Sequence, residues 1–124
     1  MNNPILTQVL PFELTNNNQG RGRAWYSSAN VRKKIERDLR LLGLEREPFE
    51  FPVVVRVTRI LGKGQRLWDS DSILRGNSKE LIDSLVVCGW FHNDSPKWIV
   101  ETQAGQDASQ RANGPAVLIE VFRA

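Results

Sequence analysis

Histidine and cysteine are almost missing from this sequence: His92 and Cys88 occur once each in 124 residues. A single cysteine excludes a disulfide framework within the chain and fits a reducing cytosol. Cys88 lies in the apolar helical run "LIDSLVVCGW" and is expected in the core; a cysteine nucleophile would want a histidine beside it, and only His92 is on offer. A lone exposed histidine is more often neither ligand nor base, so His92 is assigned no role. No apolar run approaches a membrane span, and "MNNPILTQVLPF" lacks a basic segment followed by a long apolar one. A cytoplasmic protein is expected. Repeats, linkers and low-complexity tracts are also missing, which leaves one domain over residues 1–124, long enough to bury a core without staples.

What is present begins with charge. The net charge is +3, unevenly spread: residues 1–68 hold twelve Lys or Arg against six Asp or Glu, and residues 69–124 hold five against eight. A basic part beside a slightly acidic one suits a protein that holds phosphates with one and metal ions with the other, although ordinary surface charge gives the same totals.

The elements follow from pattern. "ILTQVLPFEL" reads as a first strand, ended by Pro11, and "TNNNQGRGRAWYSS" as a loop whose Asn and Gly residues cannot support a core. Ser28 is expected to cap a helix over residues 29–43, with Val31, Ile35, Leu39 and Leu42 as its buried stripe. Arg32, Lys33, Lys34, Arg37 and Arg40 take its remaining surface, and Gly43 ends it. "PVVVRVTRIL" is a β-branched strand interrupted by Arg56 and Arg59. A second helix is expected from near Asn77, with Glu80 as capping-box partner, Leu81, Ile82, Leu85 and Val86 facing inward, and Cys88-Gly89 at its end. "KWIVETQAG" and "PAVLIEVFRA" complete the set as strands, around the polar loop "QDASQRANG". The order β-α-β-α-β-β implies an α+β fold: a mixed sheet with two main helices packed on it.

Several groups could carry chemistry, each with a plainer alternative. Asp69 and Asp71 in "WDSDS" would share one face if the segment is extended, and a carboxylate pair offers the oxygen ligands that Mg²⁺ prefers. Most such pairs, however, are turns or helix caps. Asp94, in the turn "WFHNDSP", has the same two readings. Lys79 stands four residues before Asp83, an ordinary helical ion pair, yet its ammonium could instead neutralise a phosphate near the acids. Arg21 and Arg23, followed by Trp25 and Tyr26, mix guanidinium with aromatics, which can stack bases and pair phosphates or can anchor a loop to the core. The "GRGR" stretch lacks the lysine and the helix opening of a phosphate-binding P-loop.

Taken in order, these segments resemble the RusA family of Holliday junction resolvases over nearly the whole chain. The match runs through "LPFELTNNNQGRGR", the basic "SSANVRKKIERDL", the strand "PVVVRVTRIL", "WDSDSILRGNSKELIDSL" against the family's D-x-D-N, lysine and "DAL" helix, and "GWFHNDSPKW" against its aromatic, acidic turn. The resemblance implies a homodimer that nicks two strands of a four-way DNA junction, with Asp69, Asp71 and Asp94 binding Mg²⁺, for which Mn²⁺ is a substitute. It implies Lys79 as the catalytic lysine when the helix anchors the alignment. About four extra residues follow Asp71, and without that gap Arg75 takes the lysine's place. Ser72 replaces the family's asparagine, and Asn93 replaces the first acid of the turn. Arg21, Arg23, Arg32, Lys33 and Arg75 are the expected DNA contacts, setting position rather than sequence. The alternatives are a branched-DNA-binding protein impaired in catalysis, which Asn93 and the extra residues motivate, and an interaction module whose acids are structural.

Overall fold

In a computed structural model of the protein, the described residues are 3–13, 28–67 and 71–124, with only the backbone at 28–29 and 71–77. Four strands and two helices follow one another as β1 (Leu6–Leu10), α1 (Ser28–Leu41), β2 (Val53–Ile60), α2 (Asp71–Val87), β3 (Ile99–Asp107) and β4 (Ala116–Arg123), with a short 3-10 turn at Arg111–Asn113 before β4. The sheet order is β1-β4-β2-β3. β2 and β3 pair in parallel, whereas β4 runs antiparallel to both β1 and β2 and separates them. The protein is therefore α+β, a mixed four-stranded sheet with two helices in a single small domain. Among the described residues, no helix is long and apolar enough to cross a membrane.

Alternation places the core. Val53, Val55 and Val57 of β2 are fully buried, as are Val117, Ile119 and Val121 of β4 and Leu10 of β1. Residues two apart along a strand share a face, and Ile35, Leu39, Leu81, Ile82 and Leu85 join that cluster from the helices. Burying a side chain such as Leu39 or Leu85 contributes roughly 1.5–3 kcal/mol each. On the opposite face, Arg56 donates to Gln103 Oε1 at 3.1 Å and meets Glu120 at 3.7 Å, so that face of β2 is polar at its centre.

The helices run in the same direction, joined by three contacts in step: Arg32 Nε lies 3.5 Å from Glu80 Oε2, Ser84 Oγ donates to Arg32 O, and Cys88 Sγ donates to Glu36 O. They also end alike. Leu44 N–H donates to Leu39 O and Gly43 N–H to Arg40 O, while Trp90 N–H donates to Leu85 O and Gly89 N–H to Val86 O. These are paired Schellman closures around glycines with φ of +70° and +91°. Trp90 Nε1 donates to Leu44 O at 2.7 Å, tying the two ends together.

Three expectations need correction. Leu42 is not part of the buried stripe: α1 stops at Leu41, the chain turns at Gly43, and Leu42 is 46% exposed. The second helix begins at Asp71 rather than near Asn77. Gly76, Asn77 and Ser78 are poor helix formers and read as a start signal, but the backbone is already helical through them from Asp71. Glu80 is consequently no capping partner; it is buried and faces Arg32 of α1. The expected cap at Ser28 falls on a side chain outside those described.

Candidate active site

α2 and the turn before β3 bring one group of charges together. Lys79 projects from α2 between two buried neighbours, Ser78 and Glu80. Its Nζ lies 3.6 Å from Asp83 Oδ1, one turn on, and 3.7 Å from Asp94 Oδ2 in the turn. That turn is shaped by Asn93, whose Oδ1 accepts the Ser95 N–H at 2.9 Å, and by Ser95 O, which accepts from Trp98 and Ile99. Asn93 thus supplies turn geometry where an acid is expected, and Asp94 is left pointing toward α2. Lys79, Asp83 and Asp94 line an open cleft of about 290 Å³, closed on its far side by β3 from Ile99 to Ala104 and including Glu101 and Thr102. β3 is an edge strand, so the cleft lies at the rim of the sheet.

Of the residues expected at a site, the structure brings Lys79 and Asp94 together. Asp71 is the first residue of α2, eight positions before Lys79, which is about 12 Å along the helix axis. Strand alternation therefore does not apply to Asp71, whose backbone is helical. Asp69 lies outside the described residues, as do Arg21 and Arg23. Arg75 lies on α2 between Asp71 and Lys79, with its side chain outside those described. Lys33 is exposed on α1. Arg32 is turned in part to Glu80, so it bridges helices as well as presenting charge.

Glu101 was not singled out by sequence, and Asp83 was read only as the helical partner of Lys79. Asp83 sits at the i+4 spacing, but only the fold shows that the same ammonium also reaches Asp94. A second cluster lies at the carboxyl ends of β2 and β3: Arg59, 5% exposed, donates to Arg66 O and Gln106 Oε1, and Arg111 donates to Gly62 O and Gln65 O. Burial pushes the Arg59 guanidinium below its usual range, Glu13 opposes that shift, and Arg111 adds to it. The interruption of β2 by Arg59 was the only sequence signal for this cluster.

Carboxylate oxygens are the ligands Mg²⁺ takes, but at the cleft Asp83 and Asp94 both face the Lys79 ammonium. Among the described residues, no three of His, Cys, Asp and Glu come together around one point. Asp94 is the one expected ligand whose side chain is described, and it stands beside Lys79. Cys88 is buried, which pushes its thiol up and fits a core residue. His92 meets Glu50 at 3.1 Å and leans on Trp98, away from Lys79's partners.

Compared with known proteins, the chain matches no family model and no curated protein sequence.

Proposed function

We propose that the protein is a Mg²⁺-dependent, structure-specific endodeoxyribonuclease that acts as a homodimer on four-way DNA junctions in a cytoplasmic setting. The observation that carries this reading is the Lys79 ammonium held between Asp83 and Asp94 in an open cleft, with Asp71 at the head of the same helix. The resemblance of its segment order to the RusA family supports it.

Each group has a task in phosphodiester hydrolysis. Lys79 places a positive charge where a scissile phosphate gathers negative charge in the transition state. Asp83 and Asp94 fix that ammonium by two contacts, limiting its rotamers before substrate arrives. The resemblance assigns Mg²⁺ to Asp69, Asp71 and Asp94, with Mn²⁺ as a substitute. Asp71 begins α2 about 12 Å before Lys79, which Asp94 meets, so Asp71 and Asp94 do not share one ion in this structure, and Asp69 and Asp71 are the residues that would hold it. When bound, the ion supplies a water of lowered pKa and charge stabilisation at the phosphate. Exposed Lys33, Lys34 and Arg37 on α1, with Arg21 and Arg23, position the DNA backbone. Two-fold symmetry of a homodimer matches the near two-fold symmetry of a junction and yields paired incisions.

One variant tests the assignment. Asp71→Asn is expected to abolish cleavage while junction binding in a gel shift stays equal or tightens, because a negative charge near DNA is removed. A variant that cuts at the wild-type rate rules the assignment out. The second reading, a branched-DNA-binding protein impaired in catalysis, is favoured by Asn93, whose side chain is engaged in the turn rather than offered as an acid. It predicts steeply salt-dependent junction binding with no cleavage in Mg²⁺ or Mn²⁺.

A further inference from the structure

The carboxyl ends of β1 and β2 flank the start of β4: Leu10 pairs with Val117, and Ile60 with Ala116. From there the chain leaves β2 through residues 61–67 toward Asp69 and Asp71. A connecting segment ordinarily satisfies its main-chain carbonyls with water. This one is held by protein. Arg111 Nη1, from the 3-10 turn before β4, donates to Gly62 O at 2.8 Å and to Gln65 O at 2.6 Å. Arg59 Nη1 donates to Arg66 O at 3.0 Å. Gln65 closes the loop on itself, its Oε1 accepting the Gly62 N–H at 2.7 Å.

The opposing chain is equally fixed. Leu61 N–H donates to Asp107 O at 3.0 Å, and the Asp107 carboxylate accepts from Ser109 and Gln110 in the turn that leads to Arg111. The two segments touch backbone to backbone. A Cβ on Gly62 would stand 2.7 Å from Pro115 Cδ, and one on Gly114 would collide with Leu61 O. Two guanidinium groups from separate elements thus bond three carbonyls within five residues, immediately before the acid pair.

Resting on the nuclease reading above, we infer that Arg111 and Arg59 are positioning residues of the proposed site: they clamp residues 62–66, the chain that leads to the start of α2 at Asp71. Neither touches substrate in this role. A displacement of about 1 Å in a reacting group can lower a rate by roughly 100-fold, so releasing the clamp lowers cleavage while leaving the DNA-binding surface on α1 intact.

The test compares wild type, Arg111→Ala and Arg111→Lys in the full-length chain. It measures amide hydrogen exchange over residues 61–67, affinity for a synthetic four-way junction, single-turnover cleavage, and the Mg²⁺ concentration giving half-maximal cleavage. For Arg111→Ala, faster exchange at 62–66 is expected, with junction affinity within about twofold and cleavage lowered by roughly 10- to 100-fold. The half-maximal Mg²⁺ concentration rises, which a general loss of stability would not cause. Arg111→Lys, with donors for the same carbonyls, restores part of the rate and carries the test if the alanine variant fails to fold. Loosened exchange with wild-type cleavage and an unchanged Mg²⁺ requirement overturns the positioning role, and so does unchanged exchange. If wild type itself does not cut, the nuclease reading falls and the positioning role falls with it; exchange at 62–66 then reports only on the clamp as a structural feature.

Discussion

Replacing Lys79 with alanine separates a structural ion pair from a catalytic cation, because the two roles differ in magnitude. The Lys79 side chain is 66% exposed, and its contacts with Asp83 and Asp94, at 3.6 and 3.7 Å, face solvent. Exposed pairs contribute about 0–1 kcal/mol each, and alanine recovers a few tenths in helix propensity. The net loss in stability is therefore below about 2 kcal/mol, a shift in Tm within roughly 10 °C for a domain of this size. A cation that stabilises transition-state charge is worth far more, about 100- to 1,000-fold in rate. The assay is single-turnover cleavage of an end-labelled four-way junction with protein in excess, alongside thermal unfolding followed by circular dichroism. A fall in rate of that size with a small change in Tm is the expected result, and Arg75→Ala in parallel should change the rate less, since among the described residues Lys79 is the cation that meets Asp94. A wild-type rate for Lys79→Ala refutes the reasoning, as does a drop in Tm large enough to account for lost activity.

Two further predictions concern the scaffold. Gly89→Ala introduces a Cβ at φ +91° that collides with Arg46 O, whereas Gly43→Ala at φ +70° meets nothing within 4 Å; urea unfolding should show a loss of about 2–4 kcal/mol for the first and about 1–2 kcal/mol for the second. Hydrogen bonds from the Ser109 and Gln110 side chains, then from the Ser109 N–H, hold the Asp107 carboxyl below the ordinary aspartate value. A depressed folded-state pKa stabilises the protein above the unfolded-state value, and that contribution is lost as pH falls through the folded-state value. Wild type should therefore melt above Asp107→Asn near neutral pH, and the gap should close in strong acid.

Local chemistry was legible in the sequence where one segment decides it. The β-branched run of β2 and the glycines at 43 and 89 specified their elements from adjacent residues alone. Sheet order was not legible, because the insertion of β4 between β1 and β2 depends on pairings such as Leu10 with Val117 and Ile60 with Ala116, far apart in the chain. The start of α2 was misplaced because the low helix propensity of Gly76 and Asn77 reads as a boundary, whereas the helix runs through them from Asp71. At the site, the i+4 pair of Lys79 and Asp83 was visible, but its closure by Asp94 needed the turn to fold back on α2. Arg111 read as one residue of a polar loop, and only its two carbonyl partners give it a role.

The central claim is that the Lys79 cleft and the acids upstream of it cut branched DNA. Incubating the wild-type protein with a synthetic four-way junction, with and without Mg²⁺, and mapping the products at nucleotide resolution tests it most directly. The account predicts Mg²⁺-dependent nicks placed in pairs, symmetric about the branch point. An intact junction at every Mg²⁺ and Mn²⁺ concentration, in the presence of bound protein, contradicts it.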